Sequence, residues 1–243
     1  MTNTTANISK TLEVCLAPDL LNAYQLESKT VVVIDIFRAS SAICTALAYG
    51  VAEIIPIDTL EEAHELKEKG FIVAAERKGE VVNGFDFGNS PFSFMQDRIK
   101  GKSVALSTSN CTHAIHRALP AKQLIIGSFL NLSAVASHLI NHADQIVLLC
   151  AGWNNNVNLE DTVFAGALVD RLSDHFHISC DAAMVAQGIY QLAKKDLKGF
   201  LKQSSHSHRL EHLHLQKDID FCLQIDETMV IPILKGKSLV AFS

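Results

Sequence analysis

Short apolar runs alternate along the chain with longer segments whose apolar positions recur every three or four residues. T-V-V-V-I-D-I-F (30–37) is β-branched and almost unbroken, the pattern of a strand buried on both faces. E-I-I-P-I (53–57), F-I-V-A-A (71–75), S-V-A-L-S-T (103–108), Q-L-I-I-G-S (123–128) and Q-I-V-L-L-C-A-G (145–152) repeat it. M-V-I-P-I-L (229–234) is a seventh candidate strand, where Pro232 predicts an edge or a bulge. Between the runs, L-E-E-A-H-E-L-K-E-K-G (60–70) reads as a helix, with Thr59 as its cap and Gly70 as its end. Residues 40–49, 111–119, 131–142, 160–175 and 181–195 follow the same logic. This alternation predicts an α/β fold: three α/β/α layers around a largely parallel or mixed sheet, taken as one domain over residues 1–243.

Composition narrows the class. The 243 residues are 48% hydrophobic and 19% charged, enough for a full core without disulfide or metal staples. A net charge of −5 argues against a nucleic-acid partner. The start, M-T-N-T-T-A-N-I-S-K, lacks the basic and apolar regions of a signal peptide, and no window is apolar for long enough to span a membrane. The expectation is a cytoplasmic protein, with sequons at Asn3, Asn7, Asn110 and Asn131 that arise from composition. Six cysteines, at 15, 44, 111, 150, 180 and 222, are scattered without a C-x-x-C and read as reduced core residues. The oligomeric state is left open, a homo-oligomer included.

Polar clusters follow four predicted strands. They are D-I-F-R-A-S-S (35–41), E-R-K-G-E-V-V-N-G-F-D-F-G-N-S-P (76–91), S-T-S-N-C-T (107–112) and C-A-G-W-N-N-N-V-N-L-E-D (150–161). Ligands of open α/β sheets bind beyond the carboxyl ends of the strands, so four such clusters suggest one polar site for a small anion and a hard cation. Asp35, near the end of an apolar strand, requires a partner or a metal, since an unpaired buried carboxylate is costly. Arg38 is one such partner; alternatively Asp35 is an Mg²⁺ ligand and Arg38 faces a phosphate. Mg²⁺ takes one or two carboxylates plus waters and substrate oxygens. Glu160 and Asp161 open a helical pattern, where acids either complement the helix dipole or serve as ligands or a base.

Rival motifs are present and incomplete. A D-x-D aspartyl-phosphatase signature would need an acid at position 37, which is Phe37. Cys111 to Arg117 has the C-x5-R spacing of thiol phosphatases, without the glycine such a loop uses to wrap phosphate. H-S-H-R-L-E-H-L-H (206–214) carries four histidines, two of them, His208 and His212, at i, i+4; without a cysteine or acid at a zinc spacing it reads as a solvated helix face. S-T-S-N-C-T-H-A-I-H-R (107–117) is either a phosphate cradle or an ordinary helix cap at Ser109 or Asn110.

D-I-F-R-A-S-S, E-R-K-G-x4-G-F-D-F-G-N-S-P, T-S-N-x-T and A-G-x6-L-E-D-x3-A-G, in this order, resemble the 2-phosphosulfolactate phosphatase family. S-S-H-S-H-R-L, D-I-D and V-I-P-I resemble its C-terminal part, so the similarity runs over about residues 13–239. The resemblance implies a ComB-like three-layer fold and a Mg²⁺-dependent phosphoric monoester hydrolase. Its reaction would convert (2R)-2-phospho-3-sulfolactate to 3-sulfolactate and phosphate, a step towards coenzyme M. It carries catalytic roles onto Asp35, Arg38, Glu76, Glu160 and Asp161, with Asp35, Glu160 and Asp161 as metal ligands. Substrate binding falls to Ser40, Asp86, Asn89, Ser90, Ser109, Asn110, Thr112, His206 and Arg209.

The chain departs from the family in places. The family usually reads N-G-T-R where this chain has N-C-T-H, so Cys111 would be strained if that position needs a positive φ, and His113 is a weaker anion ligand than arginine. Asn154 to Asn156 occupy a loop where glycine is expected. Another small phospho-carboxylate substrate, or a non-catalytic anion binder, are the alternatives these departures raise.

Overall fold

The β-branched runs have no polar face to offer solvent, and the structure covers both of theirs. The computed structural model describes residues 10–242; the sequons at Asn3 and Asn7 and the chain start lie outside them. Its strands are β1 (Thr11–Cys15), β2 (Thr30–Ile34), β3 (Glu53–Pro56), β4 (Ile72–Arg77), β5 (Glu80–Val81), β6 (Ser103–Ser107), β7 (Gln123–Gly127), β8 (Gln145–Cys150), β9 (His177–Ile178), β10 (Pro232–Lys235) and β11 (Ser238–Ala241). Its helices are α1 (Ala39–Ala48), α2 (Leu60–Glu68), α3 (Cys111–Arg117), α4 (Leu132–His142), α5 (Leu159–Leu172), α6 (Asp181–Ala193), α7 (Leu197–Leu201), α8 (Ser205–His212) and α9 (Gln216–Cys222). The eleven strands form one sheet in the order β5-β4-β6-β3-β11-β10-β7-β2-β8-β1-β9.

Alternate side chains of β2 enter opposite cores, as the pleat requires. Val32 and Ile34 pack with Leu139 of α4 and Phe164 and Leu168 of α5. Val31 and Val33 pack with Ile43 of α1 and Ile115 of α3. That alternation produces the expected three-layer α/β arrangement around a mostly parallel sheet. The cysteines behave as read: all six are free, and five are buried. Asn110 and Asn131 are buried too, which removes them as glycan acceptors.

The C-terminal hairpin departs from expectation. Pro232 lies at neither edge nor bulge: it opens β10 near the middle of the sheet, where a first-residue proline withholds no ladder donor. The hairpin is antiparallel to β7 on one side and to β3 on the other. The two parallel sets, β4-β6-β3 and β7-β2-β8-β1, therefore run in opposite senses across it. Twist accumulating at roughly 20–25° per strand turns the sets toward one another, and their loops meet. Asn154 N, after β8, donates to Asn110 Oδ1, after β6, at 3.1 Å. Arg38 Nη2, after β2, donates to Gly79 O, after β4, at 2.7 Å. No helix among the described residues is long and apolar enough to cross a membrane.

Candidate active site

The chain leaves β2 and turns at once into α1. Ser40 closes that turn, its Oγ and its N both donating to Asp35 O, at 2.7 and 2.8 Å. Its hydroxyl, expected at the substrate, is spent on the backbone. The Asp35 carboxyl is held in the turn, and burial pushes its pKa up to about 7. His206 pulls it down, while the nearby Glu76 and Glu160 carboxylates push it up.

The start of α5 supplies two acids with different fates. Asp161 is fully buried; its Oδ1 accepts from Ile36 N at 2.8 Å and its Oδ2 from Gly152 N at 3.1 Å. It clamps the ends of β2 and β8 together. Burial, with Asp35 and Glu160 beside it, pushes its pKa well above the usual carboxylate range. Asp161, expected as a metal ligand, has each oxygen engaged by one backbone amide, which makes it a clamp of the fold whatever else it binds. Glu160 is equally buried, yet only Oε1 is engaged, 2.6 Å from His206 Nδ1. Glu160 Oε2 has no hydrogen-bond partner among the described residues.

His206 comes from α8, whose entry Ser204 caps by accepting from Ser207 N at 3.0 Å. The expected solvated face holds for His208 and His212 but not for His206, which is buried. Its ring lies 5.1 Å from that of Trp153 and 6.1 Å, edge-on, from that of Phe37. One turn later the Arg209 guanidinium sits 4.4 Å over the Trp153 ring, a cation–π contact. Arg209 Nε and Nη2 are buried without a protein partner. Burial lowers the Arg209 pKa and Glu160 raises it; a guanidinium stays cationic regardless.

The 76–91 stretch is organised by Glu76. Its carboxylate accepts from Gly79 N, from Ser109 N and Oγ at 3.4 Å each, and from Asn89 Nδ2 at 3.5 Å. Gly79 permits this at φ 90°; a Cβ there would lie 2.7 Å from Leu213 Cδ1. Asp86 does not join the site. It accepts from Val73 N at 3.2 Å, near the start of β4, and pairs with Lys67 at 3.6 Å. Arg38 neither pairs with Asp35 nor faces an anion cavity shared with Ser109. Asp218 of α9 and Gly79 O take its guanidinium. With Asn89 and Ser90 it lines a separate groove of about 250 Å³ behind the Glu76–Gly79 turn.

Cys111 is buried, and burial pushes its thiol well above the ordinary value. Arg117 points away to Asn22 Oδ1 at 2.8 Å, so no thiolate loop forms. Replacing Cys111 by Ala is therefore expected to leave phosphatase turnover within about 3-fold, a cavity-limited effect; loss of all turnover in a folded Cys111→Ala variant would restore the thiol route. The feared strain is absent, since Cys111 is not among the positive-φ residues. Around the groove, positive φ falls instead on Lys78, at 57°, and on Asn154 and Asn155, at 49° and 61°, which asparagine tolerates better than most residues. Thr112 is spent locally: Oγ1 donates to Thr108 O at 3.0 Å.

An open cavity of about 590 Å³ is lined by Asp58, Arg77, Lys78, Thr108, Ser109, Thr112, His113 and Asn154. A second, of about 360 Å³, shares Lys78, Ser109 and Asn154 and adds Trp153, Arg209 and His212. Together they make one groove rich in cations. Lys78 and Trp153 carry no expectation from the sequence, and Asn154 and His212 enter there only as a departure from the family and as part of a solvated helix face. The one signal was that the chain's single tryptophan sits in a strand-end polar cluster.

Among the described residues no group of three or more His, Cys, Asp or Glu forms a ready metal cage. The donors that fit a hard cation are Asp35 and the orphaned Glu160 Oε2, a two-carboxylate set of the kind Mg²⁺ accepts.

The family model described as 2-phosphosulpholactate phosphatase matches residues 15–237. A protein of Thermotoga petrophila is 39% identical over 209 residues, 86% of this chain and 90% of that protein. One of Caldanaerobacter subterraneus is 36% identical over 221 residues, covering 89% and 92%. One of Clostridium acetobutylicum is 35% identical over 226 residues, covering 91% and 96%. Each of these relatives is named "Probable 2-phosphosulfolactate phosphatase". The chain belongs to the 2-phosphosulpholactate phosphatase family of phosphoric monoester hydrolases.

Proposed function

We propose that this protein hydrolyses 2-phospho-3-sulfolactate to 3-sulfolactate and phosphate with Mg²⁺ as cofactor. The observation that carries the reading is the cluster of Asp35, Glu160 and His206 joined through the Trp153 ring to the cationic groove of Lys78 and Arg209, in a chain whose relatives bear that name. The substrate carries two anionic groups, and a groove with cations at both ends suits a doubly anionic ligand.

Asp35 and Glu160 would hold Mg²⁺, which when bound neutralises phosphate charge and lowers the pKa of water. His206 fixes Glu160 by its Oε1 and leaves the buried Oε2 without a protein partner, available to a cation. Arg209 lines the groove, and stacking on Trp153 holds its plane; such a preorganised donor stabilises charge that develops on a transferring phosphoryl group. Ser109, held on Glu76, adds a hydroxyl at the floor. Attack by water is direct in this scheme, and Asp35 forms no phosphoryl ester.

Phosphate release from 2-phospho-3-sulfolactate is expected with Mg²⁺ and to vanish with EDTA. Arg209→Ala is expected to lower kcat/KM by about 100-fold, and inorganic phosphate should change the fluorescence of Trp153 in the wild type. A phospho-enzyme trapped on Asp35 would overturn direct attack. Phosphate binding without turnover under any divalent metal would favour a non-catalytic anion binder. One observation favours a second substrate: His113 lines the groove wall, where the family resemblance expects arginine. Faster turnover of a phospho-carboxylate than of the sulfonate would establish it.

A further inference from the structure

Far from the site, α6 presents a solvent face that α5 does not cover. The helix is pinned closely: a Cβ on Gly166 would stand 2.0 Å from Ala186 O. Ala183, Ala186 and Ala193 point inward and are buried. The opposite face exposes Asp181, Met184, Val185, Gly188, Gln191, Leu192 and, just past the helix, Lys195. These positions recur at three and four residues, the seam spacing of a helix pair. Met184, Val185 and Leu192 are 64%, 53% and 71% exposed, unusual for side chains of their kind.

The stripe is symmetric about its own centre. Gly188 lies midway between Asp181 and Lys195, and also midway between Met184 and Leu192. Nothing stands within 4 Å of where its Cβ would be. Two copies of α6 laid antiparallel across Gly188 would set Met184 against Leu192 and Asp181 against Lys195 at both ends, with Val185 packing on the stem of Gln191 between them. An isologous interface requires this self-complementarity. A partner of different sequence would not.

We propose that α6 is the contact face of a two-fold homodimer, with Gly188 at the axis and Asp181–Lys195 pairs closing each end. The helix has 13 residues, about 20 Å of contact at 1.5 Å per residue. A helix face of that length and about 10 Å wide offers on the order of 200 Å², well below the roughly 800 Å² per partner of a tight complex, so the dimer is expected to dissociate in the range of about 1–100 µM.

Sedimentation velocity of the full chain from about 1 to 200 µM tests this. The wild type should pass from monomer to dimer. Leu192→Glu should remain monomeric with unchanged melting temperature and hydrolysis. Asp181→Lys should weaken the dimer by about 5-fold or more, and adding Lys195→Asp should bring it back to within about 3-fold of wild type. Both swaps oppose the helix dipole, so a defect in α6 alone would deepen in the double variant. A chain that stays monomeric at 200 µM, a dimer indifferent to Leu192→Glu, or a double swap without rescue would each overturn the proposal.

Discussion

Asp35→Asn is expected to abolish turnover, by about 10³-fold or more, and at the same time to stabilise the metal-free protein at neutral pH. The two effects share one cause. Burial pushes the Asp35 carboxyl up from 3.8 to about 7. Between those values the folded chain keeps a proton that the unfolded chain has released, so stability falls as pH rises through that window and levels off above it. Asparagine never ionises and escapes this cost. In EDTA, the variant should match the wild type near pH 4 and melt higher near pH 8. Added Mg²⁺ should raise the melting temperature of the wild type, by mass action on the folded state, and leave the variant unmoved. Equal melting curves at pH 8, or an active Asp35→Asn enzyme, would remove Asp35 from the centre of the site.

Asp161→Asn is expected to damage the fold rather than the chemistry. Asp161 accepts from Ile36 N and Gly152 N with one oxygen each. An amide keeps one acceptor and turns an N–H₂ toward the other backbone donor. Leaving a buried N–H unsatisfied costs about 1–3 kcal/mol, which for a chain of this size lowers the melting temperature by roughly 3–10 °C. Glu160→Gln should melt near the wild type, because Glu160 touches His206 and not the backbone, yet lose Mg²⁺ affinity. If the two variants exchange these phenotypes, Asp161 is the ligand and the clamp is incidental.

Much of this architecture could be read before any coordinates. The alternation of β-branched runs with amphipathic segments predicted a helix-covered sheet, and the covered strands β2, β6, β7 and β8 lie where the apolar runs are. Burial on both faces leaves an unbroken signature of this kind. The strands that escaped notice are short or half-polar: β1 and the four-residue β11 alternate, β5 and β9 are two residues each, and a signal that short does not rise above composition. The C-terminal run was visible as a strand, but its antiparallel place in mid-sheet was not, because pairing partners are distant in sequence.

For the site, local chemistry marked the acids and the anion-friendly loops, Asp35, Glu76, Ser109 and Glu160 among them, and the family resemblance added His206 and Arg209. It did not sort them. Asp161 and Glu160 are adjacent in sequence and equally buried, and only their three-dimensional neighbours make one a backbone clamp and the other a carboxylate with a free oxygen. Asp86 and Arg38 carried charges suited to a binding role and were claimed by Val73 and Lys67, and by Asp218 and Gly79. The amino-acid sequence determined the fold class, the family and the stock of reactive groups, since these depend on periodicity and on motifs within single segments. Tertiary structure alone decided which groups stay unpaired in the groove, because a hydrogen bond is settled by distance and direction between segments that lie far apart along the chain.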